Sequence, residues 1–132
     1  IMIKTITITQ LQHEMLPSKS GQEQVWRYTW QIVDEKHQQR YVAARIIIDS
    51  TTQQISRFQA ANIREMPLVD ALLRHRKGDC FTIDFTDFNQ KHCYDSRTPY
   101  SFPAESNFEK NFLFSPKDKR QDQLAIEVHG FL

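Results

Sequence analysis

Glycine is scarce in this sequence, with only Gly21, Gly78 and Gly130 in 132 residues. Small closed β-barrels usually need glycine at bulges and corners, so the shortage argues against a tight barrel. Three isolated glycines also cannot form a phosphate-binding loop, and no Gly-x-Ser-x-Gly nucleophile turn occurs. The sequence therefore gives no support to enzymes that depend on either motif.

Cysteine is equally scarce, because Cys80 and Cys93 are too few for a disulfide-stapled secreted scaffold. No apolar run approaches the roughly 18 residues of a membrane span. The N-terminus has no basic region followed by an apolar stretch. We therefore expect two free thiols, a reducing cytoplasmic setting and no membrane partner. Because Met2 follows Ile1, we expect translation to start at Met2, with Ile1 an added residue.

A strong excess of one charge is also missing. The chain has 17 basic and 16 acidic side chains and a formal net charge of +1. This balance gives no overall attraction to nucleic acid or to anionic lipid, so charge-driven binding would need a local cluster.

The periodicity of the chain is mainly that of β-strands, within the usual length of one domain, residues 1–132. Alternating apolar and polar residues predict strands over 2–11, 25–34, 41–49 and 123–131, with shorter ones over 51–59 and 80–88. The first of these slips between Ile3 and Ile6, which predicts a bulge or an edge position. The polar residues 34–39 between two well-alternating runs predict a hairpin.

One helix is expected near residues 67–77. Pro67 suits its first position, and an apolar stripe includes Leu72. Asp70 and Arg74 stand four residues apart and can pair. Gly78 follows a basic last turn as the expected terminating residue.

These elements predict an α+β fold, in which a mainly antiparallel sheet of about five to six strands carries the helix on one face. The apolar positions that should meet between sheet and helix are Ile46, Leu72, Ile83, Phe85 and Ile126. Residues 89–123 show no sustained periodicity and are expected to form a long irregular segment.

Catalytic and metal-binding patterns are weak. His92, Cys93 and nearby Asp95 supply the side chains of a cysteine nucleophile with its base, but match no local signature. A zinc site could be formed by His75, Cys80, His92 and Cys93, but these residues lack the paired ligand spacing of zinc-binding motifs. The sequence therefore predicts no metal and no cofactor, and a small enzyme using His92 and Cys93 is the least favoured function.

An aromatic ladder on the strand 25–34 permits two interpretations. The ladder is either core, because the opposite face is polar, or a platform on which single-stranded nucleic acid stacks. In the second interpretation, basic residues accompany the ladder. The full candidate set is Trp26, Arg27, Tyr28, Trp30, Arg45, Arg74, Arg76 and Lys77.

The order of elements over residues 16–86 resembles that of bacterial single-stranded-DNA-binding proteins of the OB-fold type. The resemblance consists of a Pro-Ser-Lys-Ser-Gly loop before a strand hairpin, then a helix that ends in Arg-Lys-Gly-Asp before another strand. It implies an OB-like fold and binding of single-stranded nucleic acid.

The irregular segment 89–123 favours a different function. Aromatic residues between prolines and mixed charges are typical of protein-binding surfaces, and long loops often carry function. The candidate contact residues are Tyr94, Arg97, Tyr100 and Phe102. We therefore expect a non-enzymatic binding protein with a protein partner, ahead of single-stranded nucleic acid.

Overall fold

The structure is a computed structural model, which describes residues 3–75, 80–86, 100–101 and 123–130, the pair 100–101 by its backbone. The described part confirms the predicted α+β class, with a mainly antiparallel sheet and one helix. A short 3-10 turn, Ile63–Glu65, leads directly into the helix. The elements are β1 (Ile3–Leu16), β2 (Glu23–Val33), β3 (Gln39–Asp49), β4 (Ile55–Ala60), α1 (Met66–Arg74), β5 (Thr82–Asp84), β6 (Tyr100–Ser101) and β7 (Gln123–His129).

Over the described residues, the sheet has seven strands in the order β5-β7-β1-β2-β3-β4-β6 and curls into a half-barrel. All neighbouring strands are antiparallel except β5 and β7, which are parallel. The first four strands form a simple meander, whereas an OB-fold is a five-stranded Greek-key barrel. The fold implied by the resemblance is therefore wrong.

Strand β1 differs most from its prediction. It is central, between β7 and β2, and its inner residues alternate regularly from Ile6 to Gln10, so neither an edge position nor a slip near Ile3 exists. The bulge lies at Leu11, where the register with β2 shifts by one residue. The bulge lets the strand continue to Leu16 and turns His13, rather than Gln12, towards the inner face.

Aspartate side chains build the turns on either side of β3. In the predicted β2–β3 hairpin, the Asp34 carboxylate accepts from the Gln38 backbone N–H at 2.9 Å. In the β3–β4 turn, the Asp49 carboxylate accepts from the backbone N–H groups of Thr52 at 2.9 Å and Thr51 at 2.8 Å. These hydrogen bonds hold the pKa of Asp49 below its ordinary value.

The core lies between the inner face of the sheet and α1. The five residues predicted to meet there are all buried in one cluster, which confirms the predicted faces. Fully buried helix residues include Leu68 and Leu72, which belong to the same buried cluster as the apolar inner residues of β2 and β3. Among the strands, α1 lies closest to β4 and β5. The alternation of the sequence was informative because β2 and β3 bury mainly one face, with Ile47 the buried exception on the outer face of β3.

The helix is shorter at its C-terminal end than predicted. It ends at Arg74, and His75 has an extended backbone (φ −91°, ψ 151°). The His75 ring stacks on Phe81 with ring centroids 3.7 Å apart. The helix therefore ends before Gly78, the predicted terminating residue, which lies outside the described residues. The predicted pair of Asp70 and Arg74 is confirmed, with Nε 3.0 Å from the carboxylate. Asp70 is buried.

Glu65, the residue before α1, should make the stability of the protein depend on pH. It is 5% exposed, and burial raises its pKa, an effect that the charge of Arg40 partly offsets. Because the pKa is raised in the folded state, the contribution of this carboxyl group to the free energy of unfolding is fully present at low pH. It is lost as pH rises through the raised pKa. We expect Glu65→Gln to melt higher than wild type at pH 7, with the difference vanishing below about pH 4, where free glutamate is protonated.

The measurement is the melting temperature of both proteins between pH 3 and pH 8. Glu127→Gln, which removes an exposed carboxylate, is the control for the loss of one negative charge. A difference between wild type and Glu65→Gln that stays constant across this range would contradict the prediction.

Candidate functional site

The predicted protein-binding residues are placed only in part. Tyr94, Arg97 and Phe102 lie outside the described residues. Tyr100 belongs to β6, where its backbone pairs with that of Phe58 in β4. Binding through these four residues therefore stays a prediction, as does any role of His92, Cys93 and Asp95, which also lie outside the described part of the chain.

The aromatic ladder of β2 belongs mainly to the core. Tyr28 and Trp30 are fully buried, and their rings stack with centroids 5.4 Å apart. His13 stacks on the other side of Tyr28 at 5.5 Å, and Trp26 is half-buried. Burial raises the pKa of Tyr28 far above its ordinary value. Two of the three ladder rings are therefore not accessible to a stacking base.

The structure does not bring this ladder together with its predicted basic partners. Arg27 and Arg45 are directly paired across β2 and β3, on the outer face of the sheet. Since adjacent strand residues point to opposite faces, they lie behind the ladder. Arg74 pairs with Asp70 on α1. Arg76 and Lys77 lie outside the described residues.

The outer face of β3 carries the most exposed aromatic side chain of the described residues. Tyr41 is 62% exposed, and the next two residues on the same face are Ala43 and Arg45. Beside them lies a depression of about 290 Å³, lined by Ala43, Ala44, Arg45, Gln59, Ala60 and Ala61. An aromatic ring, a small-residue floor and a guanidinium are thus adjacent on one surface.

This surface borders an edge of the sheet. Strand β4 pairs with β3 only over Ala44–Ile48. One further hydrogen bond, from the Ala61 N–H to the Ala43 C=O at 2.8 Å, follows before the chain leaves the sheet. Within the described residues, no strand pairs with Gln39–Val42 on that side. On the other side, the same segment is fully paired with β2.

Arg45 differs electrostatically from its arginine neighbours. Arg27 pairs with Glu14, and Arg57 pairs with Glu23 at 3.3 Å. In the described part of the structure, no acidic side chain pairs with Arg45, although Arg27 lies directly opposite it. Because the charge of Arg27 is compensated by Glu14 and that of Arg45 is not compensated within the described residues, the position of Arg45 favours an incoming anionic group.

Other groups of chemically active side chains are sparse. Among the described residues, no three His, Cys, Asp or Glu side chains are placed to hold a metal. Asp84 accepts from the Thr86 hydroxyl at 2.5 Å and lies 3.4 Å from His129. The hydrogen bonds from Thr86 lower the pKa of Asp84, and His129 adds to this effect. Cys80 is an exposed free thiol.

Comparison of the chain with family models, curated proteins and solved structures finds no match. None of the helices in the described ranges is long and apolar enough to cross a membrane. The function is therefore inferred from the geometry of the site. The alternation of residues 41–49 puts Tyr41 and Arg45 on the polar face of β3. The end of β4 beside them cannot be foreseen from the sequence of β3.

Proposed function

We propose that this protein is a non-enzymatic binding protein that acts through a protein partner. The observation that supports it is the surface around Tyr41, Ala43 and Arg45, which we call the β3 surface. Tyrosine and arginine are the residue types most enriched among the energetic anchors of protein interfaces. Tyr41 stands on a strand that is paired along its whole length with β2, so its backbone is already ordered before binding.

Single-stranded nucleic acid is the alternative partner, and the crosslinking experiment described next must distinguish it from a protein. Its candidate residues on β2 and β3 lie on opposite faces of the sheet, and Tyr28 and Trp30 are buried. Nucleic-acid binding needs stacking rings and cations along one path. The protein partner is therefore the better supported of the two.

The test is photo-crosslinking in the native host, with a photoreactive amino acid at position 41. The matched control is position 3, because Ile3 is another exposed hydrophobic residue, 58% exposed. We expect a discrete adduct at position 41 that protease removes and nuclease leaves intact, and none at position 3.

Two results would contradict the proposal. An adduct at position 41 that nuclease removes would identify nucleic acid as the partner. Equal adducts at positions 41 and 3 would show that the β3 surface has no particular role.

A further inference from the structure

We propose that the β3 edge, Gln39–Ala43, accepts an extended acidic segment of the partner protein as an added β-strand. This inference rests on the proposed function and gives it a mode of binding and a partner chemistry. In strand addition, backbone hydrogen bonds supply affinity, and alternate side chains supply specificity.

The backbone geometry of β3 determines which of its N–H and C=O groups face this edge. In an antiparallel sheet, the N–H and C=O of one residue point to the same neighbouring strand, and successive residues alternate. Ala43 directs its C=O towards Ala61 of the β4 side. Tyr41 and Gln39, at two-residue intervals, therefore direct their N–H and C=O groups to that side as well.

The position of the edge defines where the added strand lies. It would continue the line of β4, beyond the point at which Ala60 and Ala61 leave the sheet. The segment Gln39–Ala43 spans about 14 Å at about 3.4 Å per residue, which is enough for a strand of four or five residues. The depression of about 290 Å³ lies at this junction and can receive a side chain of the added strand.

Charge selects the partner. Arg45 lies at the depression on the outer face. An added strand presents every second side chain to that face, so acidic residues at alternate positions can meet Arg45. A second copy of this chain would instead bring a second Arg45 to the same seam, and like charges across a strand pair are destabilising.

The experiment selects binders from a phage-displayed library of random twelve-residue peptides on the immobilised protein. The most enriched peptide is then labelled with fluorescein and titrated by anisotropy. We expect enrichment of Asp or Glu together with β-branched residues. Arg45→Glu should weaken binding of this peptide by roughly tenfold or more. Arg57→Glu, which changes an exposed arginine already paired with Glu23, is the matched control and should weaken it far less.

A second variant tests the backbone. Tyr41→Pro removes an N–H that faces the open edge, and proline is tolerated on edge strands when that N–H faces solvent. It should weaken peptide binding by roughly tenfold or more, because an edge hydrogen bond is lost and the ring is removed. Tyr41→Ala removes the ring and keeps the N–H, so the difference between the two variants isolates the backbone contribution.

Amide hydrogen exchange provides a readout that does not depend on any variant folding. The Tyr41 amide should exchange quickly in the free protein and slowly at peptide saturation. Slow exchange in the free protein would overturn the proposal, because the edge would already be covered. Unchanged exchange on saturation, or enriched peptides without acidic residues, would overturn it as well.

The failures of the two proposals are distinguishable. A nuclease-resistant protein adduct at position 41 with no change in Tyr41 exchange would leave the proposed function standing and remove strand addition. Concentration-dependent dimers that Tyr41→Pro abolishes would make a second copy the occupant and would overturn the acidic partner.

Discussion

Leu72→Ala should lower the free energy of unfolding by about 2–5 kcal/mol, the usual range for a leucine truncated in a packed core. Leu72 is 0% exposed and lies in the cluster that joins α1 to the inner face of the sheet. The truncation removes apolar contacts and leaves a cavity that the surrounding strands can fill only in part, because they are held in register on both sides. Small domains are stable by about 5–15 kcal/mol, so the loss is a large fraction of the total.

The measurement is urea unfolding followed by far-UV circular dichroism. Leu11→Ala provides the matched control, because Leu11 is 40% exposed at the β1 bulge. An exposed truncation should change the free energy of unfolding by only about 0.5 kcal/mol. If the two variants lost similar amounts, the packing of α1 on the sheet would not be the source of stability that the structure indicates.

Local periodicity predicted the parts of the fold in which burial follows a regular pattern. On β2 and β3 each apolar residue of the inner face, such as Trp30 and Ile46, is followed two positions later by another. At the β1 bulge the pattern fails for a physical reason. The inner face is continued by Gln10 and His13, whose side chains contact each other, while exposed Leu11 takes no paired position. Such a sequence pattern predicts the end of a strand.

Pairings between distant segments were beyond sequence reasoning. The parallel register of Ile83 with Val128 joins strands separated by about forty residues, and no local pattern encodes it. The candidate site likewise combines a feature that the local sequence pattern predicts with one that only the tertiary structure shows. Alternation along residues 41–49 puts Tyr41 and Arg45 on the polar face of β3, but the edge beside them is defined by the described part of β4, whose pairing ends at Ala44 and Ala60. The proposed binding at this surface depends on a tertiary pairing, whereas the local pattern of the sequence favoured the irregular segment 89–123.

The half-barrel agrees with the expectation that so few glycines argue against a tight closed barrel. The bulges at Leu11 and Ser56 bend the sheet without glycine, so the curl of the half-barrel did not require the residue that the sequence lacks. Gly130, by contrast, has φ +82°, a left-handed conformation that glycine adopts without steric cost. A Cβ added there would stand 2.4 Å from the Thr86 Cγ2 atom, which is closer than real Cβ contacts allow.

Gly130→Ala should therefore lower the free energy of unfolding by about 1–3 kcal/mol, the cost of a side chain held in a sparsely populated backbone region. The loss should be concentrated where β7 meets β5, because Thr86 must move and the hydrogen bond from the Phe85 N–H to the His129 C=O at 2.8 Å lies beside it. Urea unfolding gives the total, and amide exchange at Phe85 gives its location. Gly21→Ala is the control, since nothing lies within 4 Å of its added Cβ, and it should be neutral or slightly stabilising. Equal stabilities for the two alanine variants would show that the close approach of Gly130 to Thr86 does not constrain this end of the sheet.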